Sequence, residues 1–197
     1  ISSALSLQTL GTNIWDYSGD TTVNAYFPDT AATMLNYEPD AASITVDKTL
    51  RYSESILIDG VKSTSTTYSD GTWTGAEGTD LTITVDNKRN ITFDTLSIGC
   101  LQKISFGICR PESITFYTSA DGKTYKEVGK YTGVSDVQSE YDNDDNGAFI
   151  ERATVTLDSP VSARYVRAVV KNPGTFVKSG TTTKTWLFMD EFEMKSA

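Results

Sequence analysis

From residue 41 onward, apolar and polar residues alternate one by one, and that period of two constrains the chain more than any other feature. Leu81-Thr82-Ile83-Thr84-Val85 sets apolar side chains on one face and threonines on the other, the mark of a half-buried strand. The same period predicts strands at 43–46, 55–58, 80–86, 91–100, 113–118, 125–128, 153–157, 164–170 and 186–194. Asp121-Gly122 between two such runs predicts a hairpin. No amphipathic helix accompanies them, and only 29–35, capped by Asp29, suits a single helical turn. The expected fold is therefore all-β, a β-sandwich of jelly-roll type.

A chain of 197 residues suits one sizeable domain with a real core. Residues 1–40 read differently from the rest, with Trp15, Tyr17, Tyr26, Phe27 and Tyr37 among polar residues. They are expected to form an arm packed on the sandwich of 41–197, or the tail of a preceding domain. Two long segments, 133–147 and 173–184, separate predicted strands, and loops at a sandwich end are where function concentrates. The start at Ile1 reads as that of a mature or excised fragment.

The net charge is −9, with 26 Asp and Glu against 17 Lys and Arg. Such a surface disfavours nucleic acid and anionic membranes, which need clustered cations. No apolar run approaches the roughly 18 residues of a membrane-spanning helix. The chain has no His, which removes the commonest general base and every Ser-His or Cys-His pair. Its two cysteines, Cys100 and Cys109, read as one local disulfide or as two buried free thiols on neighbouring strands. Two Cys without His do not complete a zinc shell, and Cys100 has no base near it in sequence to make it a nucleophile.

Several local patterns occur in order: Leu57-Ile58-Asp59-Gly60, Asp70-Gly71-Thr72-Trp73-Thr74-Gly75, Ile98-Gly99-Cys100-Leu101-Gln102, Pro111-Glu112-Ser113-Ile114, Ser119-Ala120-Asp121-Gly122-Lys123, Ala163-Arg164-Tyr165-Val166-Arg167, Lys171-Asn172-Pro173-Gly174 and Trp186-Leu187-Phe188-Met189-Asp190-Glu191. Each is weak alone. As an ordered set over about 41–195 they resemble the coagulation factor 5/8 type C, or discoidin-like, domain. The nearest likeness is to carbohydrate-binding module family 32, whose members are appended to bacterial glycosidases, hexosaminidases included.

The resemblance implies a jelly-roll sandwich that binds sugar through loops at one end. It also implies one structural calcium where the beginning and end of the domain meet. The positions matching that pattern are the carboxylates of Asp59 and Glu191, the carbonyls of Ile56, Val61 and Asp190, and the hydroxyl of Thr64. Calcium accepts such a mixed shell of hard oxygens. The stretch from Thr64 to Trp73 is longer than the family's usual spacing. A bland reading stands beside it, in which Asp59 caps a turn and Glu191 is a solvated strand residue.

Sugars bind on an aromatic face with a few fixed polar groups. Trp15, Tyr68 and Tyr141 lie in polar segments and are candidate platforms, whereas Trp73 and Trp186 are expected to pack. Polar candidates are Asp70, Gln102, Lys103, Arg110 and Asn172. The family's galactose binders often use a His, which this chain lacks. Asp142-Asn143-Asp144-Asp145-Asn146-Gly147 imitates the first half of an EF-hand loop, but Ala153 stands where the closing Glu belongs. It reads as an incidental acidic loop, with a weak second calcium site as the alternative. Arg164 and Arg167, three apart on a strand, are expected on opposite faces.

The resemblance therefore implies a non-catalytic, monomeric carbohydrate-binding module, in a larger secreted or surface-attached bacterial glycosidase or adhesin. A structural or protein-interaction domain of the same fold is the alternative. A third reading is an enzyme that cleaves glycans with paired carboxylates, though no feature selects such a pair.

Overall fold

A computed structural model describes residues 41–144 and 147–196. Among them are the strands β1 (Ser43–Val46), β2 (Thr74–Glu77), β3 (Leu81–Gln102), β4 (Ser113–Ser119), β5 (Lys126–Thr132), β6 (Phe149–Lys171), β7 (Thr175–Lys178), β8 (Thr181–Lys184) and β9 (Trp186–Lys195). A short α-helix, α1 (Val137–Asp142), joins β5 to β6. The expectations for 1–40, including Trp15 and the helical turn at 29–35, lie outside the described residues.

Two long strands organise the sheet. β3 has 22 residues and β6 has 23, and they pair antiparallel from Leu81↔Val170 to Gln102↔Phe149. The register shifts between Asp86 and Ile91 and again between Phe93 and Thr95, and Lys88 takes a positive φ of 63° inside the first break. Such bulges bend and twist a ribbon, so each long strand serves two layers. The first half of β3 joins β1, the second half of β6 joins β4, and β5 pairs with β4. The second half of β3 joins β9, and β2 pairs with β9.

The core lies between the two layers. Ile83, Val85, Phe116 and Val166 come from one layer, and Leu96, Ile98, Met189 and Phe192 from the other; all are buried in one cluster. The rings of Phe116 and Phe192 meet at 5.7 Å between centroids. The fold is the all-β sandwich that the alternation predicts, of the discoidin-like kind that the resemblance implies. The paired predictions at 80–86 and 91–100, and at 153–157 and 164–170, turn out to be halves of β3 and β6.

Local differences have local causes. Residues 54–58 form a 3-10 turn rather than a strand, capped where the Ser55 N–H donates to Ser53 Oγ at 3.2 Å. Only Leu57 of its apolar run is buried. The segment 173–184 holds the β7–β8 hairpin. The segment 133–147 holds α1, whose first N–H groups at Gln138 and Ser139 donate to Asp136 Oδ1. β2 has no alternation to reveal it, and its Gly75 runs so close to β9 that a Cβ there would overlap the Leu187 carbonyl. Ala163 and Val166 are both buried, so period two fails between them. Arg164 donates to Asp86 and Arg167 to Thr84, residues two apart on β3. The two arginines thus serve one face, not opposite ones.

Of the two readings of the cysteines, the structure has the buried free thiols and not the disulfide. Cys100 and Cys109 are both free and buried. Cys100 points into the core between the layers, whereas Cys109 belongs to a separate cluster with Ile104, Val134, Val137 and Phe176. Burial pushes the Cys109 thiol up to about 12, and the Cys100 thiol is raised further by its complete burial. Neither is a nucleophile at neutral pH.

Candidate functional site

β9 lies between β2 and β3, and its period of two places Trp186 and Phe188 on one face. Their rings stack at 5.4 Å with 21° between planes. Tyr68 lies 5.2 Å from Phe188, and Phe106 lies 6.4 Å from Tyr68 in an edge-on arrangement. Arg51 covers this group. Its guanidinium carbon sits 5.6 Å from the Tyr52 ring centre, 5.9 Å from that of Tyr68 and 5.6 Å from that of Trp186. All three distances are within cation–π range.

Two turns hold the outer rings in place. Asp70 Oδ1 accepts hydrogen bonds from the Thr72 N–H at 3.0 Å and the Thr72 hydroxyl at 2.7 Å. Burial works to raise its carboxyl, but these hydrogen bonds outweigh it and hold the carboxyl below its usual range. That turn fixes Tyr68 on one side. On the other it leads to Trp73, which is fully buried and donates from Nε1 to the Ser65 carbonyl at 2.9 Å. Phe106 ends a 3-10 turn (Ile104–Phe106) closed by Gly107, whose φ is +76°. It is 59% exposed, with Lys103 Nζ 4.3 Å from its ring centre.

Arg51, Tyr68, Phe106, Ile108, Trp186 and Phe188 line a hollow of about 70 Å³. A second hollow of about 450 Å³ shares Arg51 and Trp186 with it and adds Lys48 and Glu77. The first is too small to enclose a sugar, so it presents a shallow aromatic platform beside a wider groove.

Of the residues selected from sequence, the structure brings Tyr68 to this platform, with Asp70 in the turn that carries it. Trp186 is there too, half-buried, so it packs and also offers an edge to the hollow. Tyr141 lies elsewhere, against Phe176 at 4.8 Å. Gln102, Arg110 and Asn172 are engaged inside the protein. Arg110 donates to both oxygens of Glu151 at 3.0 and 3.1 Å and to Glu140 at 3.0 Å. Gln102 donates to Glu140 and accepts from the Arg110 N–H. Asn172 donates to the Thr185 carbonyl and accepts from the Gly174 N–H and the Thr185 hydroxyl, closing the base of the β7–β8 hairpin. Sequence reasoning missed Arg51 and Phe106. The only signal for Phe106 was an aromatic placed before a glycine between two strands.

The second convergence is at the middle of β9, at Asp190 and Glu191. Glu191 Oε2 accepts the Gly60 N–H at 2.8 Å, and Asp59 Oδ1 accepts the Val61 N–H at 2.8 Å. Burial raises the Glu191 carboxyl, and the charges of Asp59 and Asp190 raise it further. Asp190 is fully buried and engaged by its side chain, with Arg152 on Oδ1 and the Ser63 N–H on Oδ2. That leaves Asp190 only its carbonyl to give. Thr64 is exposed. Among the described residues no three acidic side chains converge as a metal cage, so a cation here would lean on backbone carbonyls as well. With Asp190 taken up by Arg152 and Ser63, only the carboxylates of Asp59 and Glu191 would offer side-chain oxygens to a hard cation there.

A model of the F5/8 type C domain matches residues 40–188, and the chain belongs to that family. No curated protein matches the chain. Among solved structures, it is similar to a CBM32 module from a family 31 glycoside hydrolase of Clostridium perfringens. That match has 21% identity and a TM-score of 0.49, over 80% of this chain and 95% of the other. It is also similar to a putative alpha-L-fucosidase from Bacteroides thetaiotaomicron, at 18% identity and a TM-score of 0.49. There the match spans 91% of this chain and 33% of the other.

Proposed function

We propose that this F5/8 type C domain is a non-catalytic carbohydrate-binding module that tethers a larger secreted or surface-attached bacterial protein, a glycosidase or adhesin, to glycans. The observation that carries this reading is the platform of Tyr68, Phe106 and Trp186 under Arg51. The exposed Phe106 ring and the half-buried Tyr68 and Trp186 rings suit the apolar C–H faces of sugar rings, and the wider groove beside them admits a second residue of a chain.

We further propose that a calcium ion staples the domain at the Asp59-Gly60 turn. Asp59, Glu191 and the carbonyls of Ile56, Val61 and Asp190 would hold it, with Thr64 as an outer ligand. Its role there would be to neutralise clustered carboxylates and fix the turn to β9, with no part in chemistry.

A single module of this kind binds weakly, with Kd on the order of 0.1–1 mM, and gains from multivalency. Glycan-array screening followed by calorimetry, with calcium and with EGTA, tests the reading. A folded domain that binds no glycan would favour a protein-interaction role instead.

A further inference from the structure

We propose that the aromatic platform selects an acidic sugar, whose carboxylate or sulfate sits between Arg51 and Lys103. The inference rests on the carbohydrate-binding reading and narrows it to a chemical class.

The first ground is the state of Arg51. Arg110, Arg152 and Arg164 each hold a carboxylate of this chain. Arg51 forms no ion pair among the described residues. It rests instead on three rings and makes one long hydrogen bond, from Nε to the Tyr52 hydroxyl at 3.3 Å. Its two terminal nitrogens carry no partner there. Guanidinium is weakly hydrated, stacks on aromatic faces and binds carboxylate or sulfate through a planar fork. Arg51 is thus held in place by its flat face with its fork unused.

The second ground is Lys103. Among the described residues, its ammonium reaches only the Phe106 ring and, at 3.4 Å, the Thr66 carbonyl. The rings connect the two cations: Arg51 lies over Tyr68, Tyr68 meets Phe106 edge-on, and Phe106 carries Lys103. Among the described residues, Arg51 in the hollow's lining and Lys103 on its Phe106 ring thus both lack an acidic partner, in a chain whose acids outnumber its bases by 26 to 17.

The third ground is what the platform lacks. A neutral sugar presents hydroxyl donors, which are met best by carboxylate or carbonyl acceptors. The six residues lining the hollow include no acid or amide. Glu77 and Lys48 line the adjoining groove, and Lys48 is paired with Asp47 at 2.6 Å.

The test compares an oligogalacturonate, the same glycan with its carboxyls reduced to alcohols, and a sulfated galactan, by calorimetry at low and high salt. The expected result is about tenfold tighter binding of an acidic glycan than of the reduced one, with the preference shrinking at high salt. Arg51→Gln and Lys103→Gln should each abolish most of that preference, and Arg51→Lys should restore part of it, in variants whose melting temperature matches the parent. The uronate and sulfate arms identify which anion is taken. Equal affinity for the reduced glycan would overturn the proposal while leaving the carbohydrate-binding reading in place. Absence of binding to every glycan would overturn both.

Discussion

Arg152 donates to Asp190 at 2.7 Å, and Asp190 is completely shut off from solvent. The pair lies on β6 and β9 with Gly99 of β3 between them, where a Cβ would overlap Asp190 Oδ1. Asp190 also accepts the Ser63 N–H, so a single carboxylate ties the 59–63 turn to the sheet. Removing one partner of a buried pair strands the other charge. Arg152→Ala should therefore destabilise the domain by about 3 kcal/mol, and Gly99→Ala should be of similar severity. Urea unfolding measures both. A loss under about 1 kcal/mol for Arg152→Ala would mean that Asp190 is not held in the way described.

A milder ion pair sets the acid response. Arg164 grips Asp86 with two bonds, at 2.8 and 3.0 Å. This grip, first among several causes, holds the Asp86 carboxyl well below the usual carboxylate range. A depressed native value means that the stabilisation is complete above the unfolded carboxylate value near ~4 and fades as pH falls toward the native one. The pair is partly exposed, so it is worth about 1 kcal/mol. Melting temperature followed from neutral pH down to strong acid should fall less steeply in Asp86→Asn than in the parent. Parallel curves would remove Asp86 from the acid transition.

The layers were legible because alternation is a direct consequence of strands with one buried face; Leu81 to Val85 and Ser113 to Thr118 needed nothing else. What stayed hidden depends on contacts far along the chain. β2 exists because Gly75 lets β9 approach, and no local pattern encodes that. Cys100 and Cys109 are near in sequence, but the strand carrying Cys100 faces the main core while Cys109 turns into another cluster. Gln102, Arg110 and Asn172 looked like ligand contacts because they are polar residues beside loops. Their partners, Glu140, Glu151 and Thr185, lie far enough along the chain that only the fold reveals the bonds. Tyr68 was visible as an aromatic in a polar segment. Arg51 gains its meaning only when three rings from separate segments come under it.

The free thiols make a chemical prediction. Cys100 and Cys109 are each about 1% exposed, and burial keeps both protonated. The native domain should react with neither iodoacetamide nor a thiol-exchange dye, and both groups should react once urea unfolds it. The melting temperature should be the same with and without a reductant. A mass two units lower in the native protein, restored by reductant, would show a disulfide after all.

Calcium, if it staples the 59–61 turn to Glu191, binds the folded state alone and stabilises it by mass action. At a hundredfold excess over Kd the gain is about 2.7 kcal/mol, or roughly 5–10 °C in melting temperature for a domain of this size. EGTA should reverse it. Glu191→Gln keeps the size of the side chain but weakens the ligand, and it should lose most of the calcium response. Asp144→Asn, in the acidic loop after α1, should retain it. An equal response in Glu191→Gln would move the ion away from β9.

The aromatic platform offers the cleanest separation of binding from folding. Phe106 is 59% exposed, and its neighbours are Lys103 on one side and the edge of Tyr68 on the other. Truncating it removes contact area from a ligand and almost none from the core, so Phe106→Ala should leave stability within about 0.5 kcal/mol of the parent. Its effect on a bound sugar should be about tenfold in Kd, the loss of one aromatic contact worth 1–1.5 kcal/mol. Trp186→Ala differs, because that ring also stacks on Phe188 and supports Arg51. It should weaken binding at least as much and should also lower the melting temperature by several degrees. Calorimetry against the best glycan, paired with thermal unfolding of each variant, reads both quantities. If Phe106→Ala bound as tightly as the parent while Trp186→Ala did not, the ligand would lie over the groove shared by Arg51 and Trp186 and away from the exposed ring.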